Sequence, residues 1–417
     1  MPFRVGRLFG LVCACAGLNA GAARAQTLPA GPVAFADGRV TVAGDVSASY
    51  GSDDPGFFDY TDYDHSALRL VRINLSGTVK ANEHFSVLAD VQTENLDSVR
   101  PYALYLRIRP WTTRAIDVQI GRVPPTFGAF GRRNYASDNP LIGYPLAYQY
   151  LTTIRPDAVP ANADELLQKR SSGWLLRYSV GDLSLSHGVP LVNGFRWDTG
   201  VQVHVGLLRD NQLTVTGSVT AGSLSNPLFD DDNAGKQYAA RVEARPVMGI
   251  VAGLSFARGA FMRDDAVRAA VGSAHGSDFT QTAWGGDLEY ARDHFVIRTE
   301  LIATGWEMPV CTACDPSRRS PAIPSPLRAI STSIEGKYAI RPGLYGAARV
   351  GHLGFNEIEG TTTTAPWDAP VTRFEIGAGY SLQRNLLLKG SFQTNRRDGG
   401  RLLGKANQVA TQVVYWF

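Results

Sequence analysis

Long apolar runs are missing from most of this 417-residue sequence. Outside the first 25 positions, no stretch reaches the roughly 18 consecutive apolar residues that a transmembrane helix needs. We therefore exclude a helical membrane protein. Charged residues are also scarce, at 19% of the chain, whereas aromatic residues make up 10%. Because disordered chains combine high net charge with few aromatic residues, this composition indicates a folded protein.

The first 25 residues have the pattern of a secretory signal peptide. A positively charged start with Arg4 and Arg7 precedes an apolar segment from Leu8 to Leu18. Ala23-Arg24-Ala25 then supplies a cleavage motif of small residues on either side of one variable residue. We predict that cleavage follows Ala25 and that the mature protein is exported.

Little net charge remains once this peptide is removed. The precursor has 41 basic and 38 acidic residues, and the peptide carries three arginines and no acid, which leaves 38 of each. Such a balance gives no indication of a nucleic-acid partner.

Cysteine is rare, and only Cys311 and Cys314 remain after cleavage. An exported chain meets an oxidising environment, and this pair lies in a proline-rich stretch. Asp315 rather than histidine follows it, so haem attachment is not indicated. We predict a small disulfide rather than a redox centre, no cofactor and no metal centre. The acidic stretches around Asp53–Asp64 and Asp230–Asp232 leave Ca²⁺ binding open.

Apolar and polar residues alternate through most of the mature chain. Val71 and Ile73, for example, alternate with Arg72 and Asn74. A period of two is typical of β-strands that have two different faces. The predicted strands are 39–50, 67–80, 84–95, 101–110, 115–123, 172–180, 182–191, 200–209, 212–222, 236–246, 249–262, 279–291, 294–308, 327–339, 343–356, 371–382, 385–396 and 405–417.

The links between these strands alternate in length. Short links such as Ala81–Glu83 and Arg292–Asp293 alternate with longer ones rich in Asp, Pro, Gly and Ser. A soluble β-sandwich does not require this difference, whereas a transmembrane β-barrel has short periplasmic turns and long external loops. Closure of a barrel also pairs the backbone groups that lie within the bilayer. We predict an all-β, transmembrane antiparallel barrel over residues 39–417, after a periplasmic lead at 26–38.

The predicted number of strands is about eighteen, because an even number returns the C-terminus to the periplasm. Sixteen is the alternative, and it applies if the pair between Ser172 and Leu191 does not belong to the barrel.

The last strand carries a family resemblance. It ends at Phe417, with Tyr415 two residues earlier and apolar residues alternating before it. This pattern resembles the terminal signature of Gram-negative outer-membrane barrels of the porin-like superfamily. The resemblance implies an outer-membrane location, contact with lipopolysaccharide and recognition of Tyr415 and Phe417 by the barrel-assembly machinery. A homotrimer is compatible with this class, although the sequence does not fix the oligomeric state.

A second resemblance follows the fifth predicted strand, where Ile120 to Tyr135 reads IGRVPPTFGAFGRRNY. It looks like the entry into the loop that several porin groups fold into the barrel. The loop predicted here runs from Pro124 to Ser171, and a loop of this length is usually functional or disordered. We expect it to narrow the lumen; an external loop that covers the mouth is the alternative. Within it, Asn162 could cap a short helical turn with Glu165 at the third position.

Charged residues on the polar strand faces are predicted to line the lumen, because a charge that faces lipid near the midplane costs about 2–4 kcal/mol. The basic candidates are Arg72, Arg107, Arg109, Arg177, Arg241, Arg245, Arg298, Lys337, Arg349, Arg373 and Lys389, and the acidic candidates are Asp45, Asp90, Glu94, Asp117, Glu243, Asp287, Glu289, Glu300, Glu335 and Glu375. Their similar numbers favour mutual neutralisation. The predicted constriction combines Arg72, Arg107, Arg109, Arg132 and Arg133 with Asp157, Asp164 and Glu165 of the loop.

The pattern as a whole favours a porin that allows passive diffusion of small hydrophilic solutes or ions. A plugged structural or adhesive barrel is the first alternative, and an outer-membrane hydrolase is the second. The motifs of serine hydrolases, zinc peptidases and P-loop proteins are absent from the sequence, so we do not expect an enzyme.

Overall fold

The computed structural model describes residues 29, 31–61, 64–133, 135–208, 212–311, 314 and 320–417. The predicted signal peptide, residues 1–25, lies outside the described residues. The strands in the described part are β1 (Val33–Phe35), β2 (Val40–Gly51), β3 (Val71–Lys80), β4 (Phe85–Glu94), β5 (Ser98–Ile108), β6 (Ile116–Val123), β7 (Ala158–Val159), β8 (Val180–Gly181), β9 (Asp198–Leu207), β10 (Leu213–Thr220), β11 (Gln237–Ala244), β12 (Ile250–Ala260), β13 (Thr280–Arg292), β14 (Phe295–Trp306), β15 (Leu327–Arg341), β16 (Leu344–Phe355), β17 (Glu357–Glu359), β18 (Thr364–Pro366), β19 (Val371–Gln383), β20 (Leu386–Arg397) and β21 (Lys405–Trp416).

Helical structure is short in this part of the chain. The α-helices are Leu146–Gln149, Ala163–Gln168 and Asp264–Val271, and 3₁₀ turns occur at Phe130–Arg132 and Gly276–Asp278. None of the helices among the described residues is both long and apolar enough to cross a bilayer.

Sixteen strands form one closed antiparallel barrel, in the order β2–β6, β9–β16 and β19–β21. Each strand pairs with the next along this order, and β21 pairs with β2 to close the ring. Apart from the short link at residues 95–97 between β4 and β5, short turns alternate with longer loops, so the barrel has a short-turn end and a long-loop end. The sequence-based alternative of sixteen strands is therefore confirmed.

The predicted strands 172–180 and 182–191 do not belong to the barrel wall. In the structure, β8 pairs with β7, and an isolated bridge joins Leu176 to Ser186. Leu176, Tyr178 and Val180 alternate with more exposed residues, but their buried face packs inside the barrel rather than against lipid. The long loop consequently continues past Ser171 and occupies residues 124–197, between β6 and β9.

The strand faces have the polarity of a membrane barrel. On β3, the side chains of Val71, Leu75 and Val79 are exposed on the outer surface, whereas Arg72 and Asn74 are buried inside. Apolar residues thus cover the outside, and polar residues line the lumen.

Both ends of the described part of the chain meet at the short-turn end of the closing seam. Phe417 exchanges two backbone hydrogen bonds with Gly44, at 2.9 and 3.0 Å. Beyond this pair, β1 lies against residues 40–42 of β2, so it follows β21 along the same edge. Asn385 Nδ2 donates hydrogen bonds to the carbonyl oxygens of Pro29 and Trp416, at 2.8 and 2.9 Å, and so connects the two ends.

Candidate functional site: the lumen and its in-folded loop

The loop of residues 124–197, hereafter the in-folded loop, enters the lumen directly after β6. Gln202 of β9 donates hydrogen bonds from Nε2 to Pro124 O at 2.9 Å and to Thr126 Oγ1 at 2.6 Å. Ser255 of β12 accepts one from Gly128 N at 3.1 Å. These contacts turn the chain inward, so the sequence-based expectation of a loop inside the barrel agrees with the structure.

A phenylalanine and a glycine fix the first turn of this loop. The Phe127 ring is fully buried against Gly285 of β13, where an added Cβ would lie 2.8 Å from the ring. Gly128 has a φ of +74°, and a Cβ there would lie 2.5 Å from Tyr148 Oη. Larger residues are therefore excluded at both glycines.

Glu300 of β14 connects two segments of the in-folded loop. Its Oε1 accepts hydrogen bonds from Ala129 N at 2.9 Å and from Tyr148 Oη at 2.8 Å. These bonds pair a buried carboxyl group with two separate segments of the loop.

Two basic residues, on β16 and β20, hold the middle of the loop. Lys389 Nζ donates to the carbonyl oxygens of Asn139 and Leu141, at 2.8 and 3.3 Å. Arg349 donates to Asn139 Oδ1 at 2.8 Å and to Gly143 O at 2.9 Å. Buried charges are stable only with such complete hydrogen bonding.

The outer part of the loop is held by Asp368, which precedes β19. Its carboxylate accepts hydrogen bonds from Thr153 N at 3.0 Å and from Ser171 N at 2.8 Å. Burial raises the pKa of Asp368 above its usual value, although these bonds oppose the shift. The in-folded loop is thus attached at both its inner and its outer parts.

Not all the residues of the predicted constriction lie close together. Arg72 is buried near the long-loop end, where it bonds Glu94 at 2.6 Å and contacts Tyr144 Oη. Arg107 and Arg109 lie near the short-turn end, and both contact Asp117. Strand register separates the rows of Arg72 and Arg107 by eight positions, or about 26 Å. The single basic cluster expected from the sequence is therefore divided between the two ends.

The three acidic loop residues of that prediction hold the loop itself. Asp157 pairs with Arg155 at 2.8 Å. Asp164 accepts hydrogen bonds from Thr361 Oγ1 at 2.6 Å and Thr361 N at 2.8 Å, and these lower the pKa of Asp164.

Glu165 contributes to the expected helix cap. Asn162 Oδ1 accepts from Glu165 N at 2.9 Å, and the Glu165 carboxylate accepts from Ala161 N at 2.6 Å.

Arg133 does face open space. Its Nη2 lies 2.8 Å from Glu289 Oε2 of β13. The neighbouring Arg132 ends the 3₁₀ turn Phe130–Arg132. We call the adjacent cavity, of about 230 Å³, the central chamber. It lies between the loop and strands β11–β16, and its lining includes Phe130, Arg133, Pro145, Arg245 and Arg298.

The alternation of residues along the strands correctly predicted that Arg245, Glu289 and Arg298 face inward. It could not show that these residues, among all the inward-facing charges, line the central chamber. A wall residue lines the chamber only where the in-folded loop leaves the wall uncovered.

Two further predicted sites can be located. The structure joins Cys311 and Cys314 in a disulfide. The Tyr415 hydroxyl donates to Pro29 O at 2.5 Å, and the Phe417 ring packs over Gly44. Among the described residues, no three His, Cys, Asp or Glu side chains are grouped as metal ligands.

The closed sixteen-strand barrel with a loop folded into its lumen has the fold of a porin-like β-barrel. No protein-family model and no curated protein sequence matches the chain. Among solved structures, OmpF of Salmonella typhi in complex with daunomycin is similar with a TM-score of 0.54 and 10% identity, over 91% of this chain and 97% of that one. The anion-selective porin from Comamonas acidovorans is similar with a TM-score of 0.52 and 11% identity, over 91% and 99%. At these identities the likeness establishes the fold alone.

Proposed function

We propose that the protein is an outer-membrane channel through which small hydrophilic solutes or ions diffuse passively. The observation that supports this most directly is polar space on both sides of the in-folded loop. Two recesses of about 860 and 1030 Å³ adjoin Arg107 and Arg109 at the short-turn end. The central chamber and an outer recess of about 230 Å³, which includes Asp157 and Arg263, lie further along the lumen.

The number of strands supports the same proposal. Barrels of 16–18 strands enclose an aqueous channel, whereas eight-stranded barrels are filled by side chains. In this protein the in-folded loop occupies much of that space, so the channel is narrow.

Conductance of the purified protein in a planar bilayer tests the proposal. We expect discrete current steps, and larger steps when residues 135–143 are replaced by two glycines, because this segment lies inside the lumen against the wall. A control variant without Gly272 and Ser273, which lie in an exposed loop, should conduct like the wild type.

A plugged barrel is the second candidate, and one observation favours it. Hydrogen bonds to the in-folded loop come from strands around nearly the whole wall, including Tyr102 of β5, Gln281 of β13 and Lys389 of β20. If the wild type does not conduct and the shortened loop does, the protein is a plugged barrel rather than a porin.

We further infer that the protein is exported by a cleaved signal peptide to a Gram-negative outer membrane, where it contacts lipopolysaccharide. The assembly machinery would read Tyr415 and Phe417, and a homotrimer would be the assembled form. Membrane fractionation, N-terminal sequencing of the mature chain and native mass spectrometry test these points.

A further inference from the structure

The three most exposed charged side chains of the central chamber are all arginines, whereas Arg241 and Arg349 of its wall are buried. The exposed fractions of the arginine side chains are 60% for Arg245, 29% for Arg133 and 27% for Arg298. Those of the acids are lower, at 23% for Glu289, 18% for Glu243 and 10% for Glu335. Similar numbers of acidic and basic residues therefore do not give equal charge at the solvent-facing surface.

The acidic side chains also form ion pairs with arginines of the wall and of the in-folded loop. One oxygen of Glu289 lies 2.8 Å from both Arg133 Nη2 and Arg298 Nε. The two oxygens of Glu335 are divided between Arg298, at 3.1 Å, and Arg349, at 2.6 Å. A carboxylate that already accepts from two guanidinium groups has little attraction left for a cation in the chamber.

The arginines retain donor capacity. A guanidinium group carries five N–H donors, and the carboxylate contacts of Arg133 and Arg298 use only part of them. Arg133 and Arg298 share Glu289, and Arg298 also pairs with Glu335. The remaining N–H groups suit the oxygens of an anion, because charge-assisted bonds between guanidinium and carboxylate are strong.

Apart from Arg133, the loop side of the chamber is apolar. Phe130 and Pro145 line it opposite the charged wall, and the cavity of about 230 Å³ can hold only a small molecule. A ligand that matches both sides has an anionic group at one end and a compact apolar body at the other.

We propose that the central chamber is a binding site for small organic carboxylates. Arg133 and Arg298 hold the carboxylate, and Phe130 and Pro145 contact the apolar body. The role of this site in transport rests on the proposed channel function, whereas binding to the folded barrel does not.

Binding can be measured on the folded, detergent-solubilised protein by saturation-transfer NMR. The probes are benzoate, the neutral benzamide of the same shape, and the cationic benzylammonium. We expect benzoate to bind best, and Arg133→Gln and Arg298→Gln each to weaken its binding about tenfold, the equivalent of one hydrogen bond to a charged group. Arg268→Gln is the matched control, because this arginine lies on the exposed face of the helix Asp264–Val271, contacts Asp264 and is absent from the chamber lining. Electrophoretic mobility with and without heating checks that each variant is folded.

Planar-bilayer recordings of the same variants separate this proposal from the proposed function. In a conducting wild type, benzoate should reduce the current more than benzamide, and either chamber substitution should remove the difference. Current without a preference for benzoate over benzamide overturns the site and leaves the channel intact. Absence of current, combined with benzoate binding that depends on Arg133, supports the site and rejects the channel. Equal NMR binding of the three probes overturns the site whether or not current flows.

Discussion

The ammonium group of Lys389 donates a hydrogen bond to the carbonyl oxygen of Asn139, at 2.8 Å, across 250 residues of sequence. The wall of the barrel thereby holds the backbone of the in-folded loop directly. Since Lys389 also donates to Ala136 O and Leu141 O, one side chain determines the path of six consecutive residues.

Replacing this lysine should release that segment without opening the barrel. For Lys389→Met we expect a loss of about 2 kcal/mol of local stability, because hydrogen bonds to a charged group disappear. Hydrogen exchange at residues 135–143 should accelerate about thirtyfold. Lys80→Met is the control, since Lys80 lies exposed at the short-turn end. Unchanged exchange in Lys389→Met would show that the other contacts suffice to hold the loop.

Removing the attachment at Asp368 should affect the outer part of the in-folded loop instead. Asp368→Ala leaves the N–H groups of Thr153, Ser171 and Ala369 without their carboxylate acceptor, at a cost of about 1–3 kcal/mol for each group that stays buried and unpaired. We expect faster proteolysis between residues 153 and 171, with the barrel still resistant. Asp398→Ala, at an exposed acid nearby, should digest like the wild type. Equal digestion of both variants would assign the attachment elsewhere.

Acid should weaken the contact between the in-folded loop and the segment after β17. Hydrogen bonds from Thr361 lower the pKa of Asp164 below its usual 3.8. A lowered folded-state pKa gives stability that is present above the ordinary pKa and is lost as the pH falls through the folded value.

A cysteine in place of Thr362 can report this change through its reactivity with dithiodipyridine, which modifies thiols at low pH. Reactivity should rise from about pH 6 to about pH 2.5. In an Asp164→Asn background it should be high at both values. A rise that persists unchanged in that background would have another cause.

The orientation of the barrel follows from its two kinds of links. Single cysteines at Asp231 and Thr362, in the long-loop end, should react with an impermeant reagent on whole cells. Cysteines at Asn82 and Arg384, in short turns, should react only after lysis. The opposite pattern would reverse the barrel in the membrane.

The barrel wall was predictable because its signal is local. In β3, alternate residues from Val71 to Val79 show which face meets lipid and which meets the lumen, and closure follows from an even number of such strands. Sequence parity also placed Arg298 and Glu335 on the inner face.

The contents of the lumen were less predictable, because they depend on distant contacts. Leu176, Tyr178 and Val180 have the same alternation as a wall strand, yet their apolar face packs within the in-folded loop. Likewise, alternation along the strands places Arg72 and Arg107 on the same inner face but does not give their positions along the barrel axis. The strand register puts them near opposite ends of the barrel. The path of the loop requires pairs such as Arg349 and Asn139, which lie 210 residues apart.

The meeting of the chain ends makes the barrel nearly a continuous ring of backbone. Phe417 lies opposite Gly44, and Val33 lies opposite Val42, so one position of β2 separates the partners of the two ends. Both ends run in the same direction along that edge. With the residues before Val33 removed, a single bridging residue would therefore join them into one uninterrupted strand. Circularly permuted chains could then begin at an exposed link such as residues 398–404, and the wall would keep every pairing that it has now.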